Sequence, residues 1–330
     1  MRILIATGIY PPEIGGPAEY AKNLKEAWVK QGHGVSMGVF SRFSFLPTGI
    51  RHLAYFLSIL PAIFQADLVL ILDTFSAALP TVFAGRLLGK KMVLRTGGDF
   101  LWEAYVERTG ELVLLKDFYK TCLDKFSNKE RKIFKLIKYV LRNVSAIIWS
   151  TEWQRDIFME PYQLSKQKHF IVENYYGPKI SSVEPDAKNF IAATRKLKWK
   201  NLGMLEKVFI QIPASLDMET VPHDKFLEKL SKSYAVIIAS LGDISPNTIL
   251  DAIRCNKPFI LTKENGLSPR IKDISIFVDP LSEEDIKEKV SWLLNPANYE
   301  AQKGKIEAFS FTHSWEGIAK EYLAVYDSIR

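Results

Sequence analysis

The sequence predicts an α/β protein made of two doubly wound parallel sheets. Short, unbroken β-branched and aliphatic runs recur along the chain, helix-compatible segments separate them, and the pattern is repeated in both halves of the 330 residues. A strand buried on both faces reads as a continuous apolar run, and a helix between successive runs is the crossover that parallel pairing needs. The length suits two domains of about 150 residues each. With 47% hydrophobic and 25% charged residues the composition is that of an ordinary globular chain, which excludes disorder as the default.

Taken in order, the first-half runs are 2–6, 35–40, 67–72, 91–95, 145–150 and 168–172. The second half continues with 189–193, 208–212, 235–240, 258–262 and 275–279. Between the two sets, residues 175–187 hold Gly177, Pro178, Ser181, Ser182 and Pro185, the composition of a linker. The hinge is placed there, giving an N-terminal domain of 1–180 and a second domain of 181–315. Open sheets of this kind bind ligands at the carboxyl ends of their strands, which predicts a nucleotide in the cleft between the domains. No internal repeat or low-complexity tract occurs.

Cys122 and Cys255 are far apart, with no His or Cys beside either at metal-ligand spacing, and read as buried thiols in a reducing compartment. Met1-Arg2 runs straight into an apolar strand, so no signal peptide is expected. No apolar run reaches the roughly 20 residues of a spanning helix. These features predict a cytoplasmic protein. His33, His52, His169, His223 and His313 are scattered and receive no role.

Three loops at strand ends are candidates for chemistry. The first, residues 10–20, carries Gly15, Gly16 and Pro17 ahead of a helix; two glycines admit close backbone approach, and the helix start offers free amides to an anion. It lacks the spacing of G-x-G-x-x-G or of a P-loop, and a simple tight turn is the plainer reading. The second is 195–201, where Arg195, Lys196, Lys198 and Lys200 follow the first strand of the second half. Cations at that edge suit a diphosphate, with Arg as a fork and Lys as a point charge; a solvated basic turn is the alternative. The third is 243–253. Ser245 is a good N-cap and Pro246 a good first helical residue, so amides near Asn247 and Thr248 would face a phosphate, Asp251 ribose hydroxyls and Asp243 a sugar. Capping or solvated carboxylates are the alternative there.

In combination these segments resemble the retaining glycosyltransferases of family 4, which have the GT-B fold. The opening residues 2–18 look like the start of many members. Arg195 and Lys200, five positions apart, match the family's diphosphate pair, and Asp243 and Asp251, eight apart, fall in register with its Glu-x7-Glu pair. Residues 245–260 look like its nucleotide helix and following turn, and Ser314-Trp315-Glu316 like its closing segment. The resemblance covers most of the chain. It implies that Gly15 and Gly16 pack against donor phosphates, Arg195 and Lys200 hold the diphosphate, Ser245, Asn247 and Thr248 line the nucleotide site, Asp251 binds ribose and Asp243 the sugar. It implies no cofactor and no metal, since the cations stabilise the leaving diphosphate. It also implies a last helix, 316–330, that crosses back to the first domain.

Both family glutamates are aspartates here, and the stretch between Lys200 and Asp243 is short, which implies a trimmed second domain. Where many members carry a His, this chain reads Gly97-Gly98-Asp99-Phe100-Leu101-Trp102-Glu103, similar to a subgroup with Gly-Asp-x-x-Trp-Glu. Asp99 is then the candidate to contact the sugar or act as base, with Glu103 second; Asp99 as a helix cap and Trp102 as core are the plainer readings.

The net charge of +7 is confined to the first half: 24 Lys/Arg against 17 Asp/Glu in residues 1–185, and 20 of each in 186–330. Residues 116–142 contribute nine basic residues against three acidic ones. Within them Ile133, Phe134, Ile137, Val140 and Leu141 fall at helical spacing, the pattern either of a helix docked on a sheet or of one lying on an anionic membrane. Residues 43–64 form a second apolar segment, a candidate acceptor groove. Peripheral attachment to the inner face of the membrane through 116–142 is the expectation, and no nucleic-acid motif accompanies the charge. The predicted function is transfer of a sugar from a UDP- or GDP-sugar to a hydroxyl of a glycan or lipid-linked acceptor, as in polysaccharide biosynthesis. A non-catalytic nucleotide-sugar-binding protein and a nucleotide-sugar 2-epimerase are the alternatives.

Overall fold

The first-half apolar runs become six parallel strands in a computed structural model that describes residues 1–13, 15–164, 169–192 and 195–329. They are β1 (Arg2–Thr7), β2 (Gly34–Val39), β3 (Leu68–Ile71), β4 (Met92–Thr96), β5 (Ala146–Trp149) and β6 (His169–Ile171), in the spatial order β2-β1-β3-β4-β5-β6. Register is fixed by burial on both faces: Ile3 pairs Val35 on one side and Leu68 on the other, and β3, β4 and β5 are buried throughout. A slip of one residue would turn every side chain to the wrong face. The intervening helices are α1 (Gly16–Lys30), α2 (Thr48–Gln65), α3 (Ala78–Leu87), α4 (Phe100–Thr109), α5 (Leu115–Thr121), α6 (Asn128–Asn143) and α7 (Glu152–Tyr162). Ser127 and Glu130 close a capping box at the start of α6, and Thr151 caps α7 through the Gln154 amide.

The second sheet has five parallel strands: β7 (Asn189–Ile191), β8 (Ser215–Asp217), β9 (Ala235–Ile238), β10 (Phe259–Thr262) and β11 (Ile276–Val278), ordered β11-β10-β9-β7-β8. Alternate residues of each strand feed two apolar layers. Phe190, Ala235, Ile237 and Ile260 pack on one face, and Ile191, Val236, Phe259 and Leu261 on the other. Helices α8 (Leu202–Phe209), α9 (His223–Lys232), α10 (Asn247–Arg254), α11 (Ser268–Ile271), α12 (Glu283–Leu293) and α13 (Pro296–Ala308) complete this half.

One strand expectation fails. Residues 208–212 do not form a strand: Val208 and Phe209 end α8, and the strand lies further on at β8. The physical reason is the helical spacing of Leu205, Val208 and Phe209, all buried, whereas Ile210, an inward position in the strand reading, is 86% exposed.

The last helix, α14 (Trp315–Asp327), is capped by Ser314 and belongs with the first sheet. There Tyr322 bonds Tyr20 between hydroxyls, Trp28 donates to the Ala319 carbonyl, and Tyr326 to that of Asp67. The first compact unit comprises residues 1–101, 122–174 and 313–330; the second comprises 102–121 and 175–312. Most of α4 and all of α5 therefore pack with the second sheet, although they lie in the first third of the sequence. The basic segment 116–142 is split by this division: Lys116 and Lys120 stand in the second unit and the cations of α6 in the first.

Candidate functional site

In the first unit the carboxyl edge is built from loops that largely bond to themselves. Gly15 is the N-cap of α1 and Gly16 its first residue, with the Gly15 carbonyl accepting from the amides of Ala18 and Glu19. A Cβ on Gly15 would lie 3.1 Å from the Ile9 side chain, so little room exists there for anything larger. Asp73, after β3, gives both carboxylate oxygens to the amides of Ala77 and Ala78 at 2.9 and 2.8 Å, and burial pushes its pKa up despite those bonds. Asp99 is buried and accepts from the Leu101 amide at 3.0 Å, a capping geometry at the start of α4. The same helix continues into the second unit, where Glu103 is half-buried in its first turn and Trp102 is core, donating to the Val113 carbonyl.

Arg95, at the end of β4, was not singled out by the sequence, yet it anchors this edge. It is buried, donates to Ser150 at 2.9 Å and to Asn174 at 2.7 Å, and lies 4.0 Å above the ring of Tyr20. Its neutral partners come from the ends of β5 and β6 and from α1. The guanidinium thereby ties three elements together.

The second unit gathers charge at its carboxyl edge. Lys200 reaches Asp243 at 2.7 Å, both side chains largely buried, and Ser240 donates to the same carboxylate oxygen at 3.0 Å. The Lys200 ammonium also sits 4.1 Å over the ring of Trp199. Arg195 lies outside this ion pair, exposed on the loop after β7. The Asp243 backbone is held to the neighbouring loop: its amide donates to the Glu264 carbonyl and its own carbonyl accepts from Gly266. Glu264 is itself buried and accepts from Lys116 of α5 at 2.6 Å.

Helix α10 starts beside this cluster, one residue later than the sequence reading. Pro246 is the N-cap and makes no side-chain cap, Ser245 stands just before it, and Asn247 and Thr248 are the first two helical residues. The earliest helical bond comes from the Ile249 amide to Pro246, so the amides of Asn247 and Thr248 are the ones a helix leaves for another acceptor. Asp251, one turn further, is buried. It accepts from His223 at 3.0 Å on one oxygen and from Arg254 at 3.1 Å on the other, and that bond with the imidazole raises the His223 pKa. Structure thus brings Lys200, Asp243 and the α10 start together. Asp251 instead belongs to a second cluster with His223 and Arg254.

Residues 102–121 buttress the site. The Leu115 amide donates to the Leu241 carbonyl, Glu107 accepts from the Lys198 amide, and Trp102 packs on Trp199 with ring centroids 5.3 Å apart. Gly242 is required where this segment crosses: a Cβ there would lie 2.5 Å from Leu115 and 3.4 Å from Trp102. Lys116 and Glu264, separated by 148 positions, and Ser240, His223 and Arg254 are site residues that the sequence reading missed. Among the described residues no group of three His, Cys, Asp or Glu is placed to hold a metal ion.

No family model and no curated protein sequence matches the chain. Solved structures do. Sucrose-phosphate synthase (tll1590) from Thermosynechococcus elongatus aligns with a TM-score of 0.71 at 12% identity, covering 99% of this chain and 98% of that one. Anabaena Alr3699/HepE in complex with UDP also gives 0.71 at 12% identity, over 99% and 100% of the two chains. The catalytic domain of starch synthase IV from Arabidopsis thaliana bound to ADP and acarbose gives 0.66 at 10%, over 99% and 98%. At such identity the likeness establishes the fold: two Rossmann-like parallel-sheet domains of the GT-B class.

Proposed function

We propose that the chain is a nucleotide-sugar glycosyltransferase that moves a sugar from a nucleoside diphosphate donor to a hydroxyl of a glycan or lipid-linked acceptor. The observation that carries the proposal is the meeting of Lys200, Asp243 and the open first turn of α10 at one sheet edge. One Lys200 N–H is directed at Asp243, and an ammonium has three, so two remain for diphosphate oxygens. The α10 amides add donors and the favourable end of a helix dipole. In this reading Arg195 closes on the diphosphate from its exposed loop, Asp243 meets the sugar once Lys200 turns to phosphate, and Gly15 and Gly16 complete the phosphate contacts. Charge developing on the leaving diphosphate is met by fixed donors, so the reaction is expected to proceed without a metal; retention at the anomeric carbon is what the resemblance to family 4 implies. Asp99 and Glu103 are the proposed contacts toward the acceptor.

A class of donor is supported by the structural likeness, since HepE was crystallised with UDP. The starch synthase was crystallised with ADP, so the choice of base belongs to the experiment. Thermal shifts against UDP, GDP, ADP and their sugar conjugates, repeated with Lys200→Ala and Arg195→Ala, should show stabilisation by one nucleotide class that both variants lose. Absence of any shift at millimolar nucleotide would sink the proposal. Product NMR fixes the anomeric outcome, and activity retained in EDTA checks metal independence.

The non-catalytic alternative has one observation in its favour. Asp251 already accepts from His223 on one oxygen and Arg254 on the other, so ribose hydroxyls would compete with those partners for the buried carboxylate. Donor binding without transfer or slow donor hydrolysis would favour that alternative.

A further inference from the structure

We propose that the outward face of α2 and the adjoining end of α3 dock on an anionic lipid bilayer. Helix α2 is apolar on two opposite sides. Tyr55, Ile59 and Ile63 are buried toward the sheet, while Ile50, Leu53, Leu57 and Phe64, on the other side of the same helix, are 56%, 60%, 58% and 67% exposed. Phe45 before the helix and Phe83 and Leu87 of α3, which packs against α2, extend the patch. Seven of the fifteen large hydrophobic side chains exposed among the described residues fall in 45–87, so this is one concentrated patch rather than ordinary scatter.

Charge selects the occupant. Residues 27–66 and 74–98 contain no Asp or Glu, while Arg42, Arg51, Arg86, Lys90 and Lys91 flank the apolar stripe. Lys90 is fixed at the end of α2, donating to the carbonyls of Phe64 and Ala66. Beyond α3 lies α6, joined to it by the Phe83–Tyr139 ring stack and exposing Lys132, Lys135 and Arg142. Apart from Asp67, which follows α2 and pairs with Arg2, the charged groups named along the apolar stripe are cations; that balance matches an anionic interface, where side chains enter the acyl boundary and ammonium groups meet headgroups. Among the described residues no helix is long and apolar enough to cross a membrane, so α2 would lie in the interface. The basic α6 then contributes attraction and α2 contributes insertion. This surface stands independently of the transferase reading.

The experiment is vesicle co-sedimentation of the full chain at low salt, with phosphatidylcholine alone and with 30% phosphatidylglycerol. Binding is expected to the anionic vesicles, to fall at least tenfold in Leu53→Ser/Leu57→Ser, and several-fold in Lys132→Glu/Lys135→Glu. Both pairs are solvent-facing, so unchanged circular dichroism should confirm folding. As a readout that leaves the stripe nearly intact, Leu57→Cys can carry an environment-sensitive dye, because Cys122 and Cys255 are buried; its emission should shift to the blue on anionic vesicles. Wild-type protein left in the supernatant, serine variants that sediment normally, or equal binding to neutral vesicles would each overturn the proposal. So would light scattering that shows a dimer, dissolved by the serine pair, with no vesicle binding.

Discussion

The carboxyl edges of the two sheets hold their charges differently. In the first unit, charged groups are consumed by the fold: Asp73 caps α3 with both oxygens, and Arg95 is enclosed by Ser150, Asn174 and the Tyr20 ring. In the second, Lys200 and Asp243 pair beside a helix start whose first amides precede any helical bond. Arg95 spends one guanidinium nitrogen on Ser150 and Asn174 and lies over the Tyr20 ring, while its buried Nε keeps no hydrogen-bond partner; those contacts hold the three elements in place. A lysine with N–H groups to spare next to open amides is instead disposed to exchange its partner for a ligand. Burial and charge alone therefore do not mark a binding site; a cation with donors to spare beside a helix start does.

If this contrast is right, removing Lys200 and removing Arg95 must fail in different ways. Lys200→Ala should lower kcat/KM for transfer by about 100- to 1,000-fold, the loss typical of one charge-stabilising donor, and abolish the nucleotide-induced thermal shift; it should also cost stability, because the largely buried Asp243 carboxylate loses its cation. Arg95→Ala should act through the fold: about 2–3 kcal/mol of stability lost in urea unfolding, from a buried network left with unsatisfied partners, with nucleotide-induced shifts retained. A Lys200 variant that keeps its nucleotide-induced shift, or an Arg95 variant that folds normally but ignores nucleotide, would erase the distinction between the edges.

A smaller effect tests whether residues 102–121 are part of the second edge. Gly242→Ala places a methyl 2.5 Å from Leu115, and overpacking of this kind costs about 1–2 kcal/mol. The expected sign is faster proteolysis within residues 109–115 and a lower nucleotide-induced shift. Unchanged cleavage would show that α5 adapts without leaving Leu241.

The sheets were legible because buried parallel strands leave unbroken apolar runs, as at Leu68–Ile71 and Phe259–Thr262. So were the loops that carry Lys200, Asp243 and the start of α10, since each follows directly on such a run. Residues 208–212 misled because a short apolar run fits either period; the burial of Leu205, Val208 and Phe209 at helical spacing, with Ile210 exposed, decides for the helix. The Lys116–Glu264 pair was invisible for a different reason. It depends on the chain leaving the first unit at residue 102 and returning at 122, and no local pattern in α4 or α5 records which sheet they will cover. In 43–64 the apolar content was plain, but a one-dimensional pattern does not tell an apolar face turned inward from one turned to solvent.

The finest distinction lies within the second edge, between the Lys200–Asp243 pair and the His223–Asp251–Arg254 cluster. Hydrogen bonding to Asp251 raises the His223 pKa, so the protonated imidazole is favoured in the folded chain. A raised folded pKa gives a contribution fully present below the unfolded value of about 6.5 and lost as pH climbs through the folded value. The His223 side chain is 57% exposed, so solvent screening limits the pair to a few tenths of a kcal/mol, and under about 1. Comparing His223→Gln with the parent, the thermal midpoints should differ most near pH 6 and converge by pH 9. Ribose binding adds a second signature: where a nucleotide must displace the imidazole from Asp251, affinity should rise with pH in the parent and lose that slope in His223→Gln. A pH-independent gap would place His223 outside this linkage and leave Asp251 held by Arg254 alone.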